Sequence, residues 1–301
     1  MELRHLRYFI AVAEELHFAR AAERLHIDQS PLSRAVKDLE YDLGTQLLAR
    51  TTRNTRLTWA GEVFLKEAKR VLTTLEQAKI SGKAAGAGFR GSLRIAVSDD
   101  TASPQFATLL ARCREEEPDV RLRLFEVSLA QQVLGLRTEE YDVGFAHAAI
   151  DVDGVVAVPA WTDALVLAIP SRHPLLAHKR VPLADLLRHP LVLFHPGLAE
   201  GAQRQVERLL QTVDVEPLVM EQVASFDMMM ALVAAGYGVG FANASLLHQY
   251  RNPEVIARPL AGRPALLTTY LLRPDAAPSE QLGRFIGRAV SAEDELTDEG
   301  A

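Results

Sequence analysis

Hydroxyl and basic side chains recur along one stretch of this sequence at a spacing that suggests recognition chemistry. Ser30, Ser33, Arg34 and Lys37 lie at positions i, i+3, i+4 and i+7, the spacing of a single helix face. Arg and Lys bind guanine edges or phosphate groups, and Ser bonds to either. The helix is therefore predicted to contact DNA. The full predicted set of DNA-contacting residues is Gln29, Ser30, Pro31, Ser33, Arg34, Lys37, Arg50, Arg53 and Arg56.

Two short amphipathic helices joined by a tight turn are predicted to position these residues. Apolar residues between Phe18 and Leu25 recur at the i, i+3, i+4 and i+7 spacing of one helix face, and residues 26–29 break that period. Ser30 before Pro31 predicts the start of the second helix, with the Ser hydroxyl as its cap. The inward face of the second helix is predicted to comprise Leu32, Val36 and Leu39.

A basic hairpin is predicted to follow the second helix. Leu47 and Leu48 start a short strand, and Arg50, Arg53 and Arg56 space positive charge along the turn. Such spacing suits a wing that lies on the phosphate backbone. A solvated basic helix beside an ordinary loop is the alternative, and the ordered wing with a helix after it disfavours that alternative. The segment is thus predicted to be a winged helix-turn-helix that binds DNA.

Three segments of the chain resemble the LysR-type transcriptional regulator family: MELRHLRYFIAVAEE, AAERLHIDQSPLSRAVKDLEYDLGTQLLAR and TRLTWAGEVFL. The resemblance implies a winged helix-turn-helix DNA-binding domain at residues 1–58, and a linker (dimerisation) helix with a hinge at residues 59–88. It also implies an α/β effector-binding domain at residues 89–301, built like a two-subdomain periplasmic binding protein. Subdomain I then spans approximately residues 89–162 and 267–301, and subdomain II residues 163–266. The family often has proline where this chain has Ser30.

Length and charge agree with several domains that have different tasks. A chain of 301 residues predicts about two or three domains with a core in each. Residues 1–90 hold 15 basic and 11 acidic residues, which leaves 18 and 28 for the rest, so the local net charges are +4 and −10. The mildly basic N-terminal part implies modest non-specific affinity for DNA. Tight binding is then expected to need two or more copies.

Other function classes find little support in the sequence. Neither a membrane span nor a signal peptide is apparent, which predicts a cytoplasmic protein without a membrane partner. Cys113 is the single cysteine, so an internal disulfide is excluded. The sequence contains no GxxxxGK[ST], HExxH or paired CxxC motif, and the glycines of residues 236–240 precede a strand rather than follow one. We therefore expect no enzyme activity, no catalytic residues, no cofactor and no metal site.

A helix after the wing carries an apolar seam that predicts dimerisation. Its members step by four and three residues, as in a coiled coil. The alternative is a helix that packs on its own domain. The helix is expected to end within residues 81–88, where glycines would form a flexible hinge. The predicted dimerisation residues are Phe64, Ala68, Val71, Leu75 and Ala78.

After Arg90 the pattern alternates between strands and helices, which predicts parallel sheets covered by helices. By resemblance these elements form two lobes with a ligand cleft between them, bordered by strand ends and helix starts. Helix capping is the alternative role for Ser98, Asp100 and Thr101, and a structural role is the alternative for His147 and His195. The predicted effector-binding residues are Ser98, Asp99, Asp100, Thr101, Ser128, Leu129, His147, His195, Ala202, Gln203, Phe226 and Asn243.

The charge of Asp100 bears on the effector. Many relatives place Ser or Thr there to hold an inducer carboxylate, whereas an aspartate repels an anion unless a cation such as His147 balances it. We therefore expect an inducer that is neutral or carries a hydrogen-bond donor, rather than a simple dicarboxylate.

The chain is thus expected to be a LysR-type transcriptional regulator controlled by a small molecule in the interlobe cleft. Its expected partners are double-stranded promoter DNA, a small-molecule inducer, further copies of itself in a homodimer that assembles to a homotetramer, and RNA polymerase. Two alternatives remain open: a cytoplasmic solute-binding protein whose DNA-binding head is weak or vestigial, and an α/β enzyme with a regulatory head.

Overall fold

The computed structural model describes residues 1–50, 55–86, 88–98, 101, 103–197 and 200–290, with the side chain of Arg50 left out. The sequence-based predictions for Arg53, Asp99 and Asp100 concern residues outside these ranges. The chain divides into two compact units. The N-terminal unit comprises residues 1–87 together with residues 138–140, and the C-terminal unit comprises residues 88–137 and 141–301.

The N-terminal unit is a helical bundle with a two-stranded hairpin. The antiparallel hairpin pairs Ala49 with Arg56. Its core is formed by apolar side chains from every helix, including the fully buried Phe9, Leu32 and Val36. The elements are α1 (Leu3–Glu15), α2 (Phe18–Leu25), α3 (Gln29–Leu43), β1 (Leu48–Arg50), β2 (Thr55–Leu57) and α4 (Trp59–Gly86).

The start of α3 differs from the sequence-based prediction. Asp28, rather than Ser30, occupies the N-cap position, and Ser30 lies in the first helical turn. The N–H groups of the first helical turn have no partner within the helix, so a proline, which lacks an N–H, is tolerated anywhere in that turn. Pro31 therefore does not mark the first residue of α3. The predicted inward face is confirmed, since Leu32, Val36 and Leu39 are buried.

Helix α4 ends at Gly86, within the predicted range of residues 81–88. Residues 81–86, where the glycines predicted a hinge, are helical. An isolated glycine inside a helix costs only about 1 kcal/mol relative to alanine, which a helix of this length absorbs. The glycines therefore do not form a hinge within residues 81–86.

The C-terminal unit is built on a curled sheet of nine strands, and the predicted α/β fold is confirmed. The strand order is β4-β3-β5-β11-β6-β9-β7-β8, with β10 paired to β6. The strands are β3 (Gly91–Val97), β4 (Val120–Glu126), β5 (Val143–Ala146), β6 (Val155–Pro170), β7 (Leu191–Phe194), β8 (Val219–Val223), β9 (Val239–Asn243), β10 (Val255–Pro259) and β11 (Leu266–Pro274). The α-helices are α5 (Pro104–Glu116), α6 (Leu129–Arg137), α7 (Leu183–Leu186), α8 (Glu200–Leu210), α9 (Phe226–Ala234), α10 (Ala244–Gln249) and α11 (Glu280–Val290), with a 3-10 turn at Pro174–Ala177.

Two lobes share this sheet. In lobe I, β3 pairs in parallel with β4 and β5; in lobe II, β7 pairs in parallel with β8 and β9. Strands β6 and β11 are antiparallel neighbours that pass from one lobe to the other. Strand β6 is continuous, with a register shift opposite Thr269 and Tyr270. A bulge of this kind lets one strand bend between two sheets without ending.

Each lobe has its own core, which gives the strand ends a rigid support. In lobe I, the ring of Phe145 packs against those of Phe106, Trp161 and Phe285. In lobe II, helix α8 packs against β7 through buried aliphatic side chains. Within the described residues, no helix has the length and apolar content needed to cross a membrane.

Candidate functional site

The exposed face of α3 gathers most of the residues predicted to contact DNA. Gln29, Ser30, Ser33, Arg34 and Lys37 line one open groove on the surface of the N-terminal unit. The apolar residues of α3 face the core, so the helix presents its polar and basic side to solvent. A solvent-facing helix with this donor set can enter a major groove.

The hairpin is held in a defined position beside α3. The carboxylate of Glu40 on α3 accepts the backbone N–H groups of Leu47 and Leu48, at 2.9 and 3.0 Å. These two bonds connect α3 directly to the first wing strand. The start of the wing is therefore fixed to α3 rather than independent of it.

The start of α4 supports the wing from the other side. The hydroxyl of Thr58 donates to the backbone oxygen of Gln46 at 2.7 Å and accepts the N–H of Gly61 at 3.0 Å, so Thr58 caps α4. A methyl group at Gly61 would overlap the backbone oxygen of Leu47. Only glycine permits this approach of α4 to the wing.

Within the wing, Arg56 is exposed at the middle of β2. The backbone of Arg50 pairs with that of Thr55 across the hairpin. Pro31 is exposed in the first turn of α3.

The apolar seam of α4 divides into two parts. Phe64 packs its ring 5.4 Å from that of Phe9, and Ala68 is buried in the same core. Val71 is 47% exposed, Leu75 is half-buried and Ala78 is exposed. The first two seam residues therefore pack within their own unit, which was the alternative that the sequence left open. The remaining three form the accessible part of the seam.

The strand ends of lobe I bring Ser98 and Thr101 together. The hydroxyl of Thr101 donates to the backbone oxygen of Ser98 at 2.7 Å, and the Ser98 N–H donates to Phe145 O at 3.3 Å. Both residues are buried. The cap of α5 is Ser103, whose hydroxyl accepts the Phe106 N–H at 3.3 Å. Neither Ser98 nor Thr101 has the capping role that was their alternative.

His147, at the end of β5, contacts the strand that crosses between the lobes. Its Nδ1 lies 3.3 Å from Thr268 O and 3.2 Å from the hydroxyl of Thr269. His147 is buried, as is Thr269. The imidazole therefore occupies the junction between lobe I and the crossing strand β11.

Gln205 on α8 completes this junction, although the sequence did not single it out. Its side-chain N–H groups donate to His147 O at 2.6 Å and to Thr268 O at 2.9 Å. Its Oε1 accepts the Thr268 N–H at 3.0 Å. A Cβ at Gly201 would lie 2.6 Å from the carbonyl carbon of His147, so α8 of lobe II approaches lobe I closely. Gly201, Gln205 and Arg208 recur at helical spacing, and that signal could have identified this face.

A small cavity adjoins the junction. Its volume is about 60 Å³, room for very few water molecules. The polar side chains around it belong to His147, Arg204, Gln205, Arg208 and Tyr270.

A second contact between the lobes lies at the starts of two helices. Asp163 on β6 accepts the hydroxyl of Ser245 and, at 3.3 Å, the Ser245 N–H. The same hydroxyl lies 3.5 Å from Oε1 of Gln105 on α5. Lobe I, lobe II and the crossing strand therefore meet at Ser245, which the sequence analysis also did not identify.

The other predicted effector residues have local roles in the structure. The hydroxyl of Ser128 accepts the Gln131 N–H at 3.3 Å near the start of α6, and Leu129 is buried against the sheet. His195 is exposed and accepts the Gly197 N–H at 3.1 Å. Asn243 is buried where β9 meets α10.

The remaining three lie in lobe II. Ala202 is in the lobe II core, and the buried Gln203 donates to Glu207 at 3.0 Å. Phe226 packs edge-on against Tyr250, with ring centroids 5.6 Å apart. Among the described residues, no group of three or more His, Cys, Asp or Glu side chains is placed to hold a metal ion.

Comparisons with known proteins match both halves of the chain. A model of the LysR substrate binding domain matches residues 86–292, and a model of bacterial regulatory helix-turn-helix proteins of the lysR family matches residues 3–62. The chain is 34% identical over 278 residues to the uncharacterized HTH-type transcriptional regulator YnfL of Escherichia coli (strain K12), covering 91% of this chain and 92% of YnfL. It is 32% identical over 245 residues to the HTH-type transcriptional regulator AlsR of Bacillus subtilis (strain 168), covering 81% of each.

Solved structures show the same relationship. Full-length CbnR complexed with its target DNA superposes with a TM-score of 0.72 at 29% identity, covering 97% of this chain and 100% of CbnR. Full-length BenM superposes with a TM-score of 0.61 at 27% identity, covering 99% of this chain and 97% of BenM. These similarities extend over the whole chain rather than over one domain.

Proposed function

Because this chain belongs to the LysR family of DNA-binding transcriptional regulators, which carry an effector-binding domain, we propose that it binds promoter DNA through α3 and the wing. The family is one of regulators and not of enzymes. We infer that this chain, too, acts by binding and not by catalysis, and that it works in the cytoplasm, where its DNA is.

The observation that carries the DNA-binding proposal is the exposed polar and basic face of α3, to which the first wing strand is bonded. Arg34 and Lys37 project from α3 beside Ser30 and Ser33. Glu40 bonds the backbone of the wing to the same helix. We assign base reading to the face of α3, with Gln29 and Pro31 at its start, and phosphate contact to Arg50, Arg53 and Arg56 of the wing.

A small molecule between the two lobes is proposed to modulate this DNA binding. Ser98, Thr101 and His147 at the strand ends of lobe I, with Asn243 of lobe II, are buried polar groups at the lobe edges. Gln205 and Ser245 bridge the lobes on either crossing strand. A ligand that binds one arrangement of the lobes more tightly shifts the protein toward that arrangement.

The effector is proposed to be neutral or to carry a hydrogen-bond donor. These buried polar groups include no carboxylate and no Lys or Arg, and the two arginines beside the junction cavity, Arg204 and Arg208, are exposed. Burying a dianion without an opposite charge is costly. Asp99 and Asp100, outside the described residues, add negative charge to the same segment.

Assembly to a homodimer, and of dimers to a homotetramer, is proposed through α4 and further contacts. The accessible seam of Val71, Leu75 and Ala78 supports pairing of two helices. A dimer that presents two DNA-binding heads binds DNA more tightly than one mildly basic head does alone. RNA polymerase is the proposed partner of the DNA-bound assembly.

Footprinting tests the proposed function as a whole. Purified full-length protein is incubated with genomic fragments, bound fragments are recovered, and protection is mapped with and without a panel of neutral, cationic and anionic metabolites. A discrete protected site whose boundaries change with one neutral or donor-bearing metabolite is expected. Protection of every fragment alike, at all metabolite concentrations, contradicts sequence-specific regulation and favours a solute-binding protein with a weak DNA-binding head.

A further inference from the structure

Tyr41 is an exposed aromatic residue of α3 to which the sequence analysis gave no role. Its side chain is 87% exposed, the highest value among the large apolar and aromatic side chains of the described residues. An aromatic ring left in solvent keeps a large apolar area in contact with water, which burial against a partner would remove. The position of the ring on α3 indicates what that partner is.

Tyr41 lies on the same stripe of α3 as the DNA-facing side chains. It follows Arg34 by seven residues and Lys37 by four, and at 3.6 residues per turn these steps return to nearly the same side of the helix. Its Cα lies about 10 Å further along the helix axis than that of Arg34. The opposite side of the helix at this level is buried through Leu39.

The acidic residues next to Tyr41 do not prevent an anionic partner from binding there. The carboxylate of Asp42, the adjacent residue, lies 2.7 Å from the N-terminal ammonium of Met1. That ion pair offsets one of the two acidic residues adjacent to Tyr41, and the other, Glu40, directs its carboxylate to the N–H groups of Leu47 and Leu48. About one turn before Tyr41, the exposed Lys37 on the same stripe offsets the charge of the exposed Asp38 beside it.

We propose that Tyr41 contacts the sugar–phosphate backbone of duplex DNA, with its hydroxyl donating to a phosphate oxygen and its ring against a sugar. This inference rests on the proposed DNA-binding face of α3. A recognition helix places its N-terminal residues against base edges, so residues two turns later lie nearer the strand that borders the groove. Tyrosine hydroxyls are among the groups that bond phosphate oxygens.

A backbone contact from a neutral side chain has a distinct thermodynamic signature. Because tyrosine carries no charge, its contact with phosphate releases no condensed counterion. It therefore adds affinity without changing the dependence of affinity on salt. It also adds the same affinity to every sequence, because phosphates carry no direct sequence information. An arginine or lysine contact with phosphate differs from a tyrosine contact because it makes affinity depend on salt. A contact with a base differs because it makes affinity depend on sequence.

Fluorescence anisotropy with the full-length protein tests the assignment. The probes are a duplex selected by the wild-type protein from a random library and a shuffled duplex of equal composition, each titrated at several KCl concentrations. The variants are Tyr41→Phe and Tyr41→Ala. Tyr237→Ala serves as the matched control, since Tyr237 is a 56% exposed tyrosine of the C-terminal unit. Arg34→Ala reports on the DNA-binding face itself.

We expect Tyr41→Phe to weaken binding to both duplexes by about three- to tenfold, with the salt slope unchanged, and Tyr41→Ala to weaken both further. Tyr237→Ala should bind like wild type. Equal affinity of wild type and Tyr41→Ala overturns the proposal. A loss confined to the selected duplex overturns the phosphate assignment in favour of base contact. If Arg34→Ala also binds like wild type on both duplexes, the DNA-binding face itself is misassigned. The Arg34 variant thus distinguishes a failure of the proposed function from a failure of the Tyr41 proposal alone.

Discussion

The side-chain amide of Gln205 donates to the backbone oxygen of His147 across 2.6 Å, which fastens helix α8 of lobe II to the end of strand β5 in lobe I. The same side chain also exchanges two bonds with Thr268 on the crossing strand. One glutamine thus satisfies three backbone groups in a part-buried junction. Its removal takes this partner from all three groups and leaves Thr268 O with the longer contact to His147 Nδ1 at 3.3 Å.

Gln205→Leu is therefore expected to destabilise the C-terminal unit and to loosen the contact between its lobes. The free energy of unfolding should fall by about 1–3 kcal/mol, because part-buried backbone groups lose their bonds. Denaturant unfolding of the full-length protein measures this. Gln211→Leu, at an exposed position just beyond α8, is the control and should unfold like wild type. Equal stability of wild type and Gln205→Leu would show that water replaces the amide without cost.

Arg34 and Arg56 are expected to differ in what they contribute to DNA binding. Arg34→Ala should lose about 1–3 kcal/mol on the cognate duplex and relax sequence preference, because a base contact is lost. Arg56→Ala should weaken all duplexes similarly and reduce the salt slope by about one unit, because a phosphate contact is lost. Anisotropy titrations on cognate and shuffled duplexes, over a range of salt, distinguish the two. The assignment fails if Arg34→Ala weakens both duplexes equally.

Val71→Asp is expected to disrupt pairing of α4 helices. Val71 is 47% exposed in the single chain, so a charge there does not disturb the core, but it would be buried in a paired helix. Sedimentation velocity should show a smaller species. A separate anisotropy titration should show much weaker operator binding. Val63→Asp is the matched control, because Val63 is 49% exposed on the same helix and about 100° away from the seam. An unchanged oligomer for Val71→Asp would place the interface elsewhere.

The ion pairs between α5 and α11 predict a loss of stability in acid. The guanidinium of Arg288, which lies 2.8 Å from Glu117, lowers the pKa of that carboxyl below its usual value. A depressed carboxyl pKa stabilises the folded state above the pKa of the unfolded chain, and this contribution disappears as the pH falls through the folded-state pKa. Melting temperatures of wild type and Glu117→Gln should differ at pH 7 and converge below about pH 4.

Glu280→Gln controls for the loss of a surface carboxylate, since Glu280 pairs with Arg284 from an exposed position. It should melt close to wild type, because exposed ion pairs contribute little. A constant difference between wild type and Glu117→Gln at every pH would show that packing, and not charge, stabilises this contact.

The sequence by itself determined the DNA-binding head. Its helices, turn and wing are consecutive, and the periods of Leu32, Val36 and Leu39 and the capping hydroxyl of Thr58 are local signals. Local periodicity reports which side of a helix is buried, and that was enough to orient the basic face of α3. Local periodicity also indicated the alternating strands and helices of the two lobes, because in a parallel sheet covered by helices the strands and helices alternate along the chain.

Only the tertiary structure decided which apolar surfaces meet and which polar groups bridge the lobes. The period of the α4 seam is the same for a helix that packs on its own unit and for one that pairs with a copy, so Phe64 and Ala68 could not be assigned in advance. Gln205 and His147 are 58 residues apart, and Ser245 and Asp163 are 82 apart. Each is an ordinary polar residue in its local context. Such bonds form because the folded sheet brings distant segments together. The local sequence of each segment does not reveal which other segment it will contact.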